Sequence, residues 1–140
     1  VLERAGFFED IYKKQVEELE QLGIAHFYGF QSDPRPFYAE ADCVVLPSYH
    51  EGMSNVLLEA AATGRPVITS NIPGCRESVE NGKSGLLVEV KNKEMLYQAM
   101  KKMLHCSREE REKMGKAGRE KMKREFRKEA VVERTVRSLE

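Results

Sequence analysis

The sequence is poor in the features that announce an activity at once. Its 23 Lys+Arg are matched by 23 Asp+Glu, so no net charge marks a nucleic-acid footprint. Three cysteines, Cys43, Cys75 and Cys106, are odd in number and far apart. They form neither a Cys-x-x-Cys pair nor a zinc-ligand spacing, which argues against a disulfide framework and points to a reducing compartment. Cys43 falls in an apolar run and reads as core. Cys75 sits in a turn open to chemistry, with nothing nearby in sequence to make it a nucleophile. No apolar run approaches the length of a membrane span, and no stretch reads as a signal peptide. Repeats, low-complexity tracts and flexible linkers are also missing. Neither Gly-x-Gly-x-x-Gly nor a P-loop occurs, so a dinucleotide or Walker-type phosphate site has no support.

What is present centres on two carboxylates. Glu51 and Glu59 bracket the segment Pro47-Ser-Tyr-His-Glu-Gly-Met-Ser-Asn-Val-Leu-Leu-Glu59, with seven residues between them. A helix over the second half places Glu51 in the preceding loop and Glu59 a little over one turn inside. Gly52, Met53, Ser54 and Asn55 then lie at a helix N-terminus, where unpaired N–H groups and the helix dipole suit an anion such as a diphosphate. The two carboxylates can accept hydrogen bonds from hydroxyls of the same ligand. A nucleotide-sugar fits that layout. The plainer alternative makes Ser54 or Asn55 an N-cap and Glu59 a solvated helix residue. Against it, Val56-Leu57-Leu58 and Ala60-Ala61-Ala62 flank Glu59, and a carboxylate amid them is costly to desolvate unless it faces a pocket or a partner.

Short apolar runs alternate with helical patterns along the chain. Helices are expected over about Phe8 to Leu22, Pro34 to Ala41, Ser54 to Thr63, Arg76 to Glu80 and Glu94 to Leu104. Strands are expected at Ile24–Gly29, Cys43–Leu46, Pro66–Ser70 and Gly85–Val88, with Cys43–Leu46 buried. Met95, Leu96, Ala99, Met100, Met103 and Leu104 share one helical face and read as core filler. Two further helices are expected after them, broken near Gly115–Gly118 and around Phe126. The charged stretch from Lys101 to Arg137 reads as a solvated helix face, not a membrane patch. Short strands separated by helices imply an α/β fold, a doubly wound parallel sheet covered on both faces. Such a sheet binds ligands at the carboxyl ends of its strands. The loop Ser48–Met53 and the turn Asn71–Cys75 both leave that edge.

Taken together, Pro47-Ser-x-x-Glu-Gly-Met-Ser-x-x-Leu-Leu-Glu-Ala-Ala-Ala-x-Gly-x-Pro-Val-Ile-x-Ser70 resembles the donor-binding half of a family 4 retaining glycosyltransferase. That family has the GT-B fold and a Glu-x7-Glu motif. The resemblance continues through Gly29-Phe30, Tyr38, Ala41-Asp42, Pro73-Gly74, Glu77 and Asn81-Gly-x-x-Gly-Leu-Leu-Val88. It implies a Rossmann-like half with extra C-terminal helices that takes a nucleotide-sugar, expected to be UDP-linked, as donor. By the same resemblance Glu51 contacts hydroxyls of the transferred hexosyl or N-acetylhexosaminyl group and serves as the catalytic residue. Glu59 holds the ribose hydroxyls, the backbone of Gly52, Met53, Ser54, Asn55 and Val56 holds sugar and diphosphate, and Phe30 and Gln31 lie near the base. No metal or other cofactor is expected. The leaving-group charge is offset by cations and helix amides.

The pattern departs from the family in places. Met53-Ser54 stand where many members have Phe-Gly. The loop carrying an arginine and a lysine for the diphosphate has no match, and Arg4 is not in the right context. The chain is accordingly expected to be one domain, residues 1–140, a C-terminal part lacking its first strand and the N-terminal acceptor domain, and inactive alone. The implied partners are the donor, a saccharide or lipid-linked acceptor in glycan assembly, and that missing domain. Nucleic acid is not among them. The expected location is the cytoplasm, with peripheral contact at the inner face of the membrane. His50 reads as a gatekeeping or structural residue, and His26 and His105 as incidental. Two alternatives stay open: a stand-alone nucleotide-sugar binding or regulatory module, and a fragment of a GT-B sugar-nucleotide epimerase.

Overall fold

The computed structural model describes residues 2–5 and 12–127. The chain divides into two compact units, Val1–Pro36 and Phe37–Glu140. In the first, β1 (Leu2–Ala5) pairs in parallel with β2 (Ala25–Gly29), in the register Leu2 to Ala25 and Arg4 to Phe27. Sequence pattern gives β1 no signal, because Leu-Glu-Arg-Ala has no alternation and is held by pairing. Helix α1 (Lys13–Gln21) buries Val16 and ends where Gly23 takes a left-handed φ of 65°. The expected start of that helix, Phe8–Ile11, lies outside the described residues. Helix α2 (Arg35–Glu40) leads into the second unit.

The second unit is built on a three-stranded parallel sheet in the order β3 (Val44–Leu46), β4 (Val67–Ser70), β5 (Gly85–Val88). The register pairs Val44 with Val67 and Val67 with Gly85. Successive strand residues point to opposite faces, and the packing follows that period. Val44, Leu46, Val67 and Leu87 meet Tyr38, Leu57 and Ala60 on one face. Cys43, Val45, Ile68, Leu86 and Val88 meet Leu96, Ala99, Met103 and Met114 on the other. A parallel sheet with helices on both faces is the expected α/β, Rossmann-like class. All four residues of β4 are buried, as a central strand requires. The expectation that Cys43–Leu46 is buried needs correction. Within this sheet β3 is an outer strand, and its residues are only partly covered.

Helix α3 (Asn55–Ala62) lies on the first face, and α4 (Lys93–His105) on the second. Asn92 caps α4 by accepting from the Met95 N–H at 2.9 Å. Leu104, expected in the core, is 80% exposed, and only Ala99 and Met103 of that stripe are fully buried. Helix α5 (Arg108–Glu125) is one unbroken helix, contrary to the expected break at Gly115–Gly118. Glycine lowers helix propensity by about 1 kcal/mol, but here close packing outweighs it. A Cβ on Gly115 would lie 1.8 Å from the Gly64 carbonyl oxygen, and one on Gly118 would rest 3.6 Å from the Cβ atoms of Ala61 and Ser84. The glycines let α5 lie against the C-terminal end of α3. A capping box starts α5, with Ser107 and Glu110 each accepting from the other's N–H. The helix ends at Phe126, as expected.

Candidate functional site

The loop between β3 and α3 leaves the carboxyl edge of the sheet, and the turn after β4 leaves the same edge. The two are joined tightly. The Ser54 N–H donates to the Gly74 carbonyl at 3.1 Å. Gly74 has φ of 86°, and a Cβ there would fall 1.7 Å from the Gly52 carbonyl oxygen and 2.7 Å from that of Glu51. Only glycine permits both the left-handed backbone and the contact. The Gly74 N–H donates to Glu77 Oε2 at 2.8 Å, and Thr69 Oγ1 donates to the Leu46 carbonyl at 2.8 Å. The backbone of Glu51 and Gly52 thus rests on a turn that is itself held at both ends.

Within that loop the Ser48 hydroxyl donates to Glu51 Oε1 at 2.7 Å, which orients the carboxylate while leaving it exposed. Cys75 lies beneath, fully buried. Burial first, then the charges of Glu51 and Glu77, push its thiol pKa up, against a hydrogen bond with Thr69 that lowers it. A thiol held protonated is a poor nucleophile, so the open, reactive turn position expected of Cys75 is corrected to a structural one.

Helix α3 begins with Ser54 at its N-cap, yet the buried Ser54 side chain makes no capping hydrogen bond. Among the described residues, no acceptor is present for the N–H groups of Asn55, Val56 and Leu57. These are the orphan donors of a helix start, beside a loop carrying Gly52 and Met53. Met53 and Val56 are exposed, as are Tyr49 and His50.

Glu59 sits one turn further on, and its placement corrects the sequence argument. It is exposed, so desolvation does not single it out. Its charge is felt by Tyr38 on α2. That phenol is held up to about 12, by burial first and then by the charge of Glu59. Tyr38 was visible in sequence only as part of a pattern, with nothing to reveal its contact across 21 positions. Lys91 is a second residue that sequence reading passes over. It follows β5, adopts φ of 62°, and its Nζ lies 5.8 Å from the centre of the Tyr49 ring, two residues before Glu51. Phe30 and Gln31, expected near the base, belong to the first unit. Phe30 is 68% exposed there, and Gln31 Nε2 donates to the Tyr28 carbonyl at 2.7 Å.

The model of the family "Glycosyl transferases group 1" matches residues 6–121, and the chain belongs to that family. It is 30% identical over 128 residues to the lipopolysaccharide core biosynthesis glycosyltransferase LpsE of Rhizobium meliloti (strain 1021), covering 91% of this chain and 37% of that protein. It is 33% identical over 102 residues to the capsular polysaccharide biosynthesis glycosyltransferase CapM of Staphylococcus aureus, covering 73% of this chain and 27% of that one. Among solved structures, sucrose-phosphate synthase of Thermosynechococcus elongatus superposes with a TM-score of 0.79 at 27% identity, over 99% of this chain and 38% of that one. Anabaena HepE in complex with UDP superposes at 0.78 and 22% identity, over 98% and 40%, a likeness of fold. The chain thus spans at most about two fifths of the length of these proteins.

Proposed function

We propose that this member of the group 1 glycosyl transferases is the donor-binding part of a retaining enzyme that moves a hexosyl or N-acetylhexosaminyl group from a nucleotide-sugar to a glycan or lipid-linked acceptor. The observation that carries the reading is the joining of three parts in one loop. An exposed, oriented carboxylate at Glu51, a glycine-held backbone at Gly52, and the open N-terminus of α3 adjoin one another.

Each part has a separate task. The N–H groups of Asn55, Val56 and Leu57, with the α3 dipole, receive the diphosphate and spread the charge that grows on it as the bond to the sugar breaks. Glu51 accepts hydrogen bonds from hydroxyls of the departing sugar and holds its anomeric carbon toward the acceptor. Glu59, exposed one turn inside α3, accepts from the ribose. The acceptor hydroxyl forms the new bond on the face that the diphosphate leaves, and its proton passes to the leaving diphosphate. A same-face path retains the configuration of the anomeric carbon. In this reading no metal neutralises the diphosphate, and the enzyme works in the cytoplasm with its acceptor supplied from the membrane face.

UDP is the first nucleotide to test, since the Anabaena neighbour holds it. A thermal-shift panel of UDP-, GDP- and ADP-linked sugars on the full-length protein is the direct experiment. Stabilisation by one class, rising with the logarithm of its concentration, is expected. No shift with any member of the panel overturns the reading.

A further inference from the structure

Three loops leave the carboxyl edge of the parallel sheet, after β3, β4 and β5. The first carries Glu51, and the second supports its backbone at Gly74. The third, Glu89–Asn92, is a tight turn braced at both ends. The Asn92 N–H donates to the Glu89 carbonyl at 3.3 Å, its Nδ2 donates to Glu89 Oε2 at 3.1 Å, and its Oδ1 caps α4. At the root of the turn the Asn71 N–H donates to the Val88 carbonyl at 2.8 Å, tying the loop after β4 to the end of β5.

Within this turn Lys91 takes φ of 62°, the one non-glycine residue with a left-handed backbone among those described. A side chain is strained in that region and glycine is not. A lysine kept where glycine would sit at ease points to a use for its side chain. That side chain reaches back past β4. Its Nζ lies 5.8 Å from the centre of the Tyr49 ring, within cation–π range, although both residues are exposed and water is open to the ammonium. Tyr49 stands between Ser48 and Glu51, the two partners of the hydrogen bond that orients the Glu51 carboxylate.

We propose that Lys91 is a positioning residue for sugar transfer. Its ammonium, held over Tyr49, fixes the loop from Ser48 to Glu51 in the form that presents the carboxylate to the sugar. The role rests on the donor-binding reading of Glu51. Lys91 acts through Tyr49 and touches neither sugar nor diphosphate. Losing it therefore misplaces Glu51 and slows transfer, while the nucleotide keeps its contacts on α3.

The test uses the full-length protein and reads UDP release from UDP-glucose and UDP-N-acetylglucosamine beside UDP affinity by calorimetry. Lys91→Met keeps much of the side chain and removes its charge. An exposed cation–π pair is worth about two- to fivefold in an equilibrium, so kcat is expected to fall by that factor while the Kd for UDP stays within about twofold of wild type. Lys91→Arg, which returns a cation to the ring, is expected to recover kcat. Tyr49→Leu should match Lys91→Met, and the double variant should fall no further than either alone, because the two act as one contact. Lys91→Gly separates the role from stability: it relieves the left-handed strain and should melt no lower than wild type, yet lose turnover as Lys91→Met does. Additive losses in the double variant, or wild-type kcat in Lys91→Met beside a Glu51→Ala variant that has lost turnover, overturn the proposal and leave the donor reading standing. Full turnover in Glu51→Ala removes the donor reading and the proposal with it.

Discussion

The buried phenol of Tyr38 on α2 feels the charge of Glu59, an exposed carboxylate on α3. That proximity gives Glu59 a neighbour before any ligand arrives. It also makes the pair measurable.

The first prediction concerns pH. The Tyr38 phenol is raised from 10.0 to about 12 in the folded state, by burial, then by the Glu59 charge. A raised acid binds its proton more tightly when folded, so its stabilising contribution is complete below about 10 and is lost as pH climbs through about 12. Urea denaturation across that window should show wild type losing stability more steeply than Tyr38→Phe. Parallel slopes for the two proteins would mean that Tyr38 does not feel its surroundings in this way.

Glu59→Gln should leave the fold intact and weaken UDP binding. A charge-assisted bond to ribose becomes a neutral one, a loss of about 1–2 kcal/mol, or roughly five- to thirtyfold in Kd. Calorimetric titration decides it. Unchanged affinity in a folded variant returns Glu59 to an ordinary surface role.

For Glu51→Ala, turnover in the full-length enzyme should fall far more than UDP affinity, because the proposed partner is the sugar. Steady-state kinetics beside UDP calorimetry separates the two. Equal losses would place Glu51 on the nucleotide instead.

The glycines offer a matched pair. Gly74→Ala puts a methyl into the Gly52 carbonyl at a left-handed φ, a conformation that alone costs about 1–2 kcal/mol for a residue with a Cβ. It should destabilise the protein and weaken UDP together. Gly115→Ala meets the Gly64 carbonyl and should cost stability by a similar mechanism, while UDP affinity of the folded protein stays within about twofold of wild type, or roughly 0.4 kcal/mol. Denaturation curves and calorimetry on both variants check the contrast.

The unequal legibility of the sequence has physical causes. Val67–Ser70 and Gly85–Val88 were readable because a strand buried on both faces must be apolar and must stop at its turns. The Glu51 loop was readable because glycine, serine and asparagine before an apolar run mark a helix start. Gly115 and Gly118 misled because local propensity argues for a break, while the reason to keep them lies at Gly64, Ala61 and Ser84, far away in sequence. Glu59 misled in the opposite sense. Leu57, Ala60 and Ala61 are buried on one face of α3, while Val56, Glu59 and Ala62 are exposed on the other. The clamp by Gly74 joins segments that no local pattern connects.

The contact between Gly115 and Gly64 also sets an alignment. A slip of α5 by one residue would bring Met114 or Lys116 onto the Gly64 carbonyl, where not even a methyl fits. The two glycines therefore work as a key and its slot. They admit the last described helix in a single register and reject near-miss dockings during folding, whatever the remaining surface of that helix tolerates.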